Sequence, residues 1–225
     1  MTSPAPAPGL ATRPETTAAQ ITGPLWAAIT AAGGVTGTGW ACYPGAYSPR
    51  WLAGLPLPTG TRQPPGQPAA LLDGRDTFER HKDPNALAAA YAARPRSIVY
   101  EDIGHPAPHD WHSLAATLLG RLSASPVTVA CSAFASRYGD ESLPAHWDAW
   151  YGAIIHISGA KDWTIGPGLL DPAAPPPEQV TTRAGDILLL PRGLPHAVTT
   201  PPSPGHSRHL NFALHRDPGP PISPP

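Results

Sequence analysis

"HWDAWYGAIIHISGAKDWTIG", residues 146–166, is rich in Ile, Trp, Tyr and Thr, the side chains that suit a pleated, half-buried strand. Ser158-Gly159-Ala160 interrupts it as a tight turn. The expectation is therefore a strand over 146–158 joined to another over 161–166. The neighbouring stretches read the same way. "VTVACSAFASRYG" (127–139) lies upstream. Downstream lie "EQVTTRAGDILLLP" (178–191), broken by a turn at Ala184-Gly185, then "HAVTT" (196–200) and "SRHLNFALH" (207–215). Strands so closely spaced, with glycines between them, indicate an antiparallel barrel or sandwich.

Before Pro126 the pattern is mostly helical. "GPLWAAITAAGG" (23–34) predicts a short helix stopped by Gly33-Gly34. "DPNALAAAYAARP" (83–95) predicts another, with Asp83 as N-cap and Pro84 in the first turn. "HDWHSLAATLLGRL" (109–122) has apolar residues at helical spacing, with Asp110 as cap. "RSIVYED" (96–102) reads as a strand, and "WACYPGAYSPRWL" (40–52) as aromatic and turn-rich. Helices first and strands second make the class α+β, with N-terminal helices on a β-barrel core.

The 225 residues suffice for one domain with a sizeable core. Gly (22) and Pro (33) approach the level at which disorder becomes an expectation, but the prolines crowd into the N-terminus, a connector around 55–68, a loop at 171–179 and the C-terminal end. The expected organisation is a disordered tail over 1–20, one domain over 21–216 and a proline-rich tail over 217–225. Formal charge is −1 and the 15 basic residues are scattered. That argues against nucleic-acid and membrane-surface partners. No apolar run reaches bilayer-spanning length and no secretory signal is evident, so a cytoplasmic protein is expected. Cys42 and Cys131 then read as reduced thiols, a disulfide being the alternative.

Within the barrel segment three groups point to chemistry. In a strand, residues two apart face one side, so His146 and Asp148 would both enter the barrel interior. An imidazole nitrogen and a carboxylate oxygen are two ligands of a two-His-one-carboxylate site, a set that suits Fe(II) and leaves positions open. His196 is the best third ligand, because Pro191 and Gly193 end an apolar strand just before it. Lys161 is one of only two lysines in the chain, against thirteen arginines, and it sits in apolar surroundings. A buried ammonium needs a counter-charge.

Gly185, Pro191, Gly193 and His196 fit the second cupin motif, and His146-x-Asp148 followed by Gly159-x-Lys161-x-Trp163 resembles the JmjC-type 2-oxoglutarate oxygenases. The resemblance runs over roughly residues 95–216. It is strongest to the branch that includes ribosomal-protein hydroxylases and the asparaginyl hydroxylase of hypoxia signalling. It implies a double-stranded β-helix of the cupin or jelly-roll type, and a dioxygenase using Fe(II), 2-oxoglutarate and O2. Its metal would be held by His146, Asp148 and His196. Lys161, thirteen residues after Asp148, would pair with the far carboxylate of 2-oxoglutarate. Asn211, fifteen after His196, would contact the metal-bound end of the cosubstrate. The products would be succinate, CO2 and a hydroxylated amino-acid side chain in a protein or peptide, or a related small metabolite. Gly152 stands where that branch has another cosubstrate-contacting Asn, a departure from its pattern.

Other polar residues read less sharply. His156 would face the ligand side of its strand, as a substrate or outer-sphere group or as a hydrogen-bonded core histidine. Trp40, Tyr43, Tyr47 and Trp51 are expected to pack the N-terminal segment on the barrel. His105, His109 and His112 read as loop and cap residues, and His206, His209 and His215 as weak metal candidates. The competing reading is a metal-binding cupin that is no oxygenase, such as an isomerase or ligand sensor. It would keep the three ligands and have no use for Lys161.

Overall fold

A computed structural model describes residues 13–57, 69–72, 78–101, 103, 110–123 and 125–216. After Pro126 the chain follows the expected strand series: β5 (Val127–Arg137), β6 (Tyr151–Ile165), β7 (Glu178–Arg183), β8 (Ile187–Leu190), β9 (His196–Thr199) and β10 (His206–Arg216). The difference is at Ser158-Gly159-Ala160. No hairpin forms there; the chain bends and continues as one 15-residue strand. Gly159 has φ +78°, and a Cβ on it would collide with the main chain of His206, so only glycine makes this bend.

The bend divides β6 between two sheets. Gly152–Ile155 pair with Leu190–Ile187 of β8, and Tyr151–Gly159 pair with β10. Beyond the bend, Ala160–Ile165 pair with β7, and Asp162–Ile165 with β9. β10 in turn pairs along its whole length with β5. Two antiparallel sheets sharing one strand make the double-stranded β-helix, or jelly roll.

The first half of the chain contributes more strand than its composition suggested. β1 (Ala41–Tyr43) adds to β8 at one edge. β2 (Ala69–Leu72), β3 (Phe78–His81) and β4 (Ile98–Tyr100) extend the sheet beyond β5. "AALL" and "FERH" are too short and unalternating to announce a strand pair.

α1 runs over Pro14–Ala31, so the expected tail is helical from Pro14, where proline fits the first turn. Residues 1–12 and 217–225 of the expected tails lie outside the described residues, as do His105 and His109. α2 is Pro49–Leu52. α3 spans Pro84–Ala93 and is capped as expected: the Asp83 carboxylate accepts from the Asn85 and Ala86 amides. α4 spans Trp111–Leu122. His112 lies inside it, buried and stacked on Trp111 at 3.7 Å.

α1 and α4 cover the outer face of the larger sheet with Ile21, Leu25, Ile29, Ala115 and Leu119, all fully buried against strand residues such as Leu210 and Phe212. The aromatic segment ties α1 down as expected. The Tyr47 hydroxyl donates to the Ile21 carbonyl at 2.6 Å, and Trp51 stacks on Tyr47. The turn at Gly185 braces the same segment. The Tyr47 amide donates to the Gly185 carbonyl, and the Asp186 carboxylate accepts from the amides of Gly45 and Arg183 at 2.9 and 2.8 Å. A second apolar cluster, Ile154, Trp163, Ile165, Leu188 and Leu190, fills the space between the two sheets. Cys42 and Cys131 form no disulfide. Among the described residues no helix is long and apolar enough to cross a membrane.

Candidate metal and cosubstrate site

His146 and Asp148 lie on no strand, contrary to the i, i+2 reading. They stand in the loop before β6, and His146 makes a single bridge to His196, the first residue of β9. The two histidines exchange main-chain hydrogen bonds, His146 N to His196 O at 3.0 Å and His196 N to His146 O at 2.7 Å. The Gly193 amide donates to the Asp148 carbonyl at 2.9 Å and fixes the loop against the Pro191–Gly193 turn. The residues expected to converge do converge, held by main-chain bonds across a loop.

Their side chains surround a gap. Nε2 of His146 is 4.0 Å from Oδ1 of Asp148, and Nε2 of His196 is 3.8 Å from Oδ2. One donor atom from each of the three residues lies within 4.8 Å of the other two. The tautomers follow from the ring partners. His146 Nδ1 is 2.8 Å from the Pro144 carbonyl, and His196 Nδ1 is 3.0 Å from the Leu194 carbonyl. A carbonyl only accepts, so each Nδ1 carries the proton and each Nε2 presents a lone pair to the gap. Burial holds His196 down at about 4, so it is neutral at ordinary pH. Burial raises Asp148 to about 6, against the pull of His146 and His215. Two imidazoles and one carboxylate that gains by meeting a cation form a donor set that fits a divalent metal ion.

Behind this trio runs a cavity lined by Phe134, Ser136, Lys161, Trp163, His209 and Asn211, among others. Lys161 is 2 % exposed. Its Nζ donates to Ser136 Oγ at 2.8 Å and to Thr200 Oγ1 at 3.2 Å, and among the described residues it has no carboxylate partner. Burial pulls its pKa down to about 8. A buried ammonium solvated only by two hydroxyls and lining a cavity has the chemistry to pair with an anionic group. Asn211 also lines the cavity, with a buried Oδ1 that has no hydrogen-bond partner.

His156 is placed differently. It is fully buried, away from the cavity lining, and both nitrogens are used. Nε2 donates to the Ser158 carbonyl, which leaves Nδ1 to accept from the Thr182 hydroxyl; that hydroxyl accepts from Trp163 Nε1 at 2.9 Å. His156 thus orients Trp163, whose ring packs against His196. The sequence reading missed Ser136 and Thr200, and took His209 only as a weak metal candidate. Ser136 and Thr200 look like ordinary strand residues, whereas His209 precedes Asn211 by two on β10, a spacing that puts both on one face.

A second, outer groove also borders His146 and Asp148 and shares Phe134 and Asn211 with the first cavity. Phe78, Val99, Phe134, Leu143, Trp147 and Trp150 give it an apolar lining.

The JmjC domain family model matches residues 113–217, which hold His146, Asp148, His196, Lys161 and Asn211. Ribosomal oxygenase 2 of Bos taurus is 28 % identical over 93 residues, covering 35 % of this chain and 19 % of that protein. YcfD, a ribosomal oxygenase from Escherichia coli, has been solved with cobalt and 2-oxoglutarate. It superposes with TM-score 0.55 at 20 % identity, over 87 % of this chain and 52 % of YcfD. Its form with cobalt and succinic acid superposes with TM-score 0.52 over 80 % and 49 %. The chain spans about half the length of YcfD and about a fifth of the bovine protein.

Proposed function

We propose, from the JmjC domain that residues 113–217 form, that the chain is an Fe(II)- and 2-oxoglutarate-dependent oxygenase that hydroxylates an amino-acid side chain in a protein or peptide. The observation that carries this reading is Lys161, a buried ammonium at the inner end of the cavity behind a two-His-one-carboxylate cluster. A metal-binding cupin of another activity would need the cluster alone.

The residues divide the work. His146 and His196 would hold the ion through their Nε2 lone pairs and Asp148 through a carboxylate oxygen. The bound metal and cosubstrate would supply the oxidising chemistry, reducing O2 as 2-oxoglutarate loses CO2 and becomes succinate. Lys161, held by Ser136 and Thr200, neutralises the distal carboxylate in a pocket too dry to leave it unpaired. Asn211 reaches the same cavity from β10 and serves the metal-proximal end. Trp163 and Phe134 exclude water from around the carboxylate. The outer groove takes the primary substrate; its apolar lining and the similarity to ribosomal oxygenases support a protein side chain.

The test is an anaerobic titration of the purified protein with Fe(II) and then 2-oxoglutarate, followed by visible absorption. The expected result is a weak charge-transfer band that requires both additions and is lost in His196→Ala. Absence of the band in the unmodified protein would reject the oxygenase reading in favour of the other cupin activities.

A further inference from the structure

His209 is 7 % exposed, yet neither ring nitrogen hydrogen-bonds to any described residue, and Nδ1 is fully buried without a partner. Nothing about its packing is loose. The ring lies flat on Phe134 at 4.9 Å with an interplanar angle of 5°, and the Trp163 edge meets it at 5.8 Å. The β10–β6 register shifts between Arg208 and His209, a local irregularity of the kind that re-aims a side chain. The ring lines the same cavity as Lys161. A buried imidazole so firmly clamped with both nitrogens unused lacks a ligand.

The chemistry of that ligand is constrained from both sides. Burial and the neighbouring Lys161 and His156 hold the ring neutral, so it has one N–H to give. The cavity already has one cation, and a molecule occupying it beside Lys161 must present acceptors. We propose that His209 is a further cosubstrate-binding residue, its ring N–H donating to a carboxylate oxygen of the dicarboxylate that Lys161 pairs with. This rests on the oxygenase reading above. It gives that carboxylate a donor beside the ammonium and the one hydroxyl proton that the Ser136–Thr200 hydrogen bond leaves free. It also explains the stack on Phe134, which fixes the direction in which the N–H points.

The experiment measures binding, not turnover. Calorimetry under nitrogen follows 2-oxoglutarate entering the Co(II)-loaded chain for the unmodified protein, His209→Phe and His209→Gln. Phe keeps the stack and the volume and removes the N–H; Gln restores a donor. The expected result is a dissociation constant raised about tenfold or more in His209→Phe, the loss of one hydrogen bond to a charged group, and largely recovered in His209→Gln. Co(II) affinity and melting temperature of the metal-free proteins should match, which separates a lost contact from a damaged fold. Equal 2-oxoglutarate affinity in His209→Phe and the unmodified chain would overturn the role of His209 and leave the oxygenase reading intact. So would a Gln variant as weak as Phe. An unmodified chain that binds Co(II) but no 2-oxoglutarate would remove both.

Discussion

Lys161 carries its cost openly. Its folded pKa lies near 8 against an ordinary 10.5, because burial penalises the ammonium and two hydroxyls replace only part of the lost water. The sign of the linkage follows. Between those values the unfolded chain binds the proton and the folded chain does not, so stability rises with pH through that range. The rise ends near pH 10, where Tyr91, Tyr100 and Tyr151, held protonated to about 12 by burial, begin to reverse it. Chemical denaturation of the metal-free protein should show stability climbing from about pH 8, and Lys161→Met should flatten the climb. The same variant should be as stable as the parent at neutral pH, or more so, since it removes a buried charge with no counter-charge. It should nonetheless bind 2-oxoglutarate at least about a hundredfold more weakly in calorimetry, because an unpaired carboxylate would then be buried. In the parent, affinity should fall as pH passes 8, where the ammonium loses its proton.

At the scale of elements, the long strand β6 and the turn after β7 set the geometry. Gly159 lets β6 leave one sheet and enter the other, so Ile154, Lys161 and Trp163 all reach the cavity from a single strand. The sequence announced a glycine at this point but not which of two backbone events it served, since a tight turn and a bend use the same residue. The convergence of His146, Asp148 and His196 was legible because their spacing and their Gly and Pro frame are local. Lys161 was legible because lysine is so rare here. Ser136 and Thr200 were not, because a hydroxyl on a strand carries no sign of what faces it across the barrel. The helix from Pro14 was hidden by its proline-rich neighbours. Asp186 is the element-scale bracket: its carboxylate joins the Gly45 amide to the Arg183 amide. Asp186→Ala removes the shared acceptor of two part-buried amide hydrogen bonds and should cost about 1–3 kcal/mol in urea unfolding. Hydrogen exchange should quicken around Gly45 and Tyr47, while the ligands, held by the His146–His196 bridge, keep their metal affinity.

Across the whole molecule, the candidate site draws distant parts of the chain together. β9, the loop before β6, β5 and β10 all contribute, so a metal and cosubstrate held there would bind the folded form alone. Co(II) and 2-oxoglutarate together, each at roughly a hundred times its dissociation constant, should raise the melting temperature by about 10–20 °C. Scanning calorimetry of the metal-free, metal-loaded and doubly loaded protein should show two successive increments, and His146→Ala should lose both. The reciprocal pairing of His146 with His196 has a consequence for such variants. It is made by peptide groups, which are blind to the side chain they carry. Stripping an imidazole therefore disarms the protein without dismantling its mouth. Inert versions should still dock whatever the active one oxidises, and would serve as baits from which an unreacted substrate can be recovered.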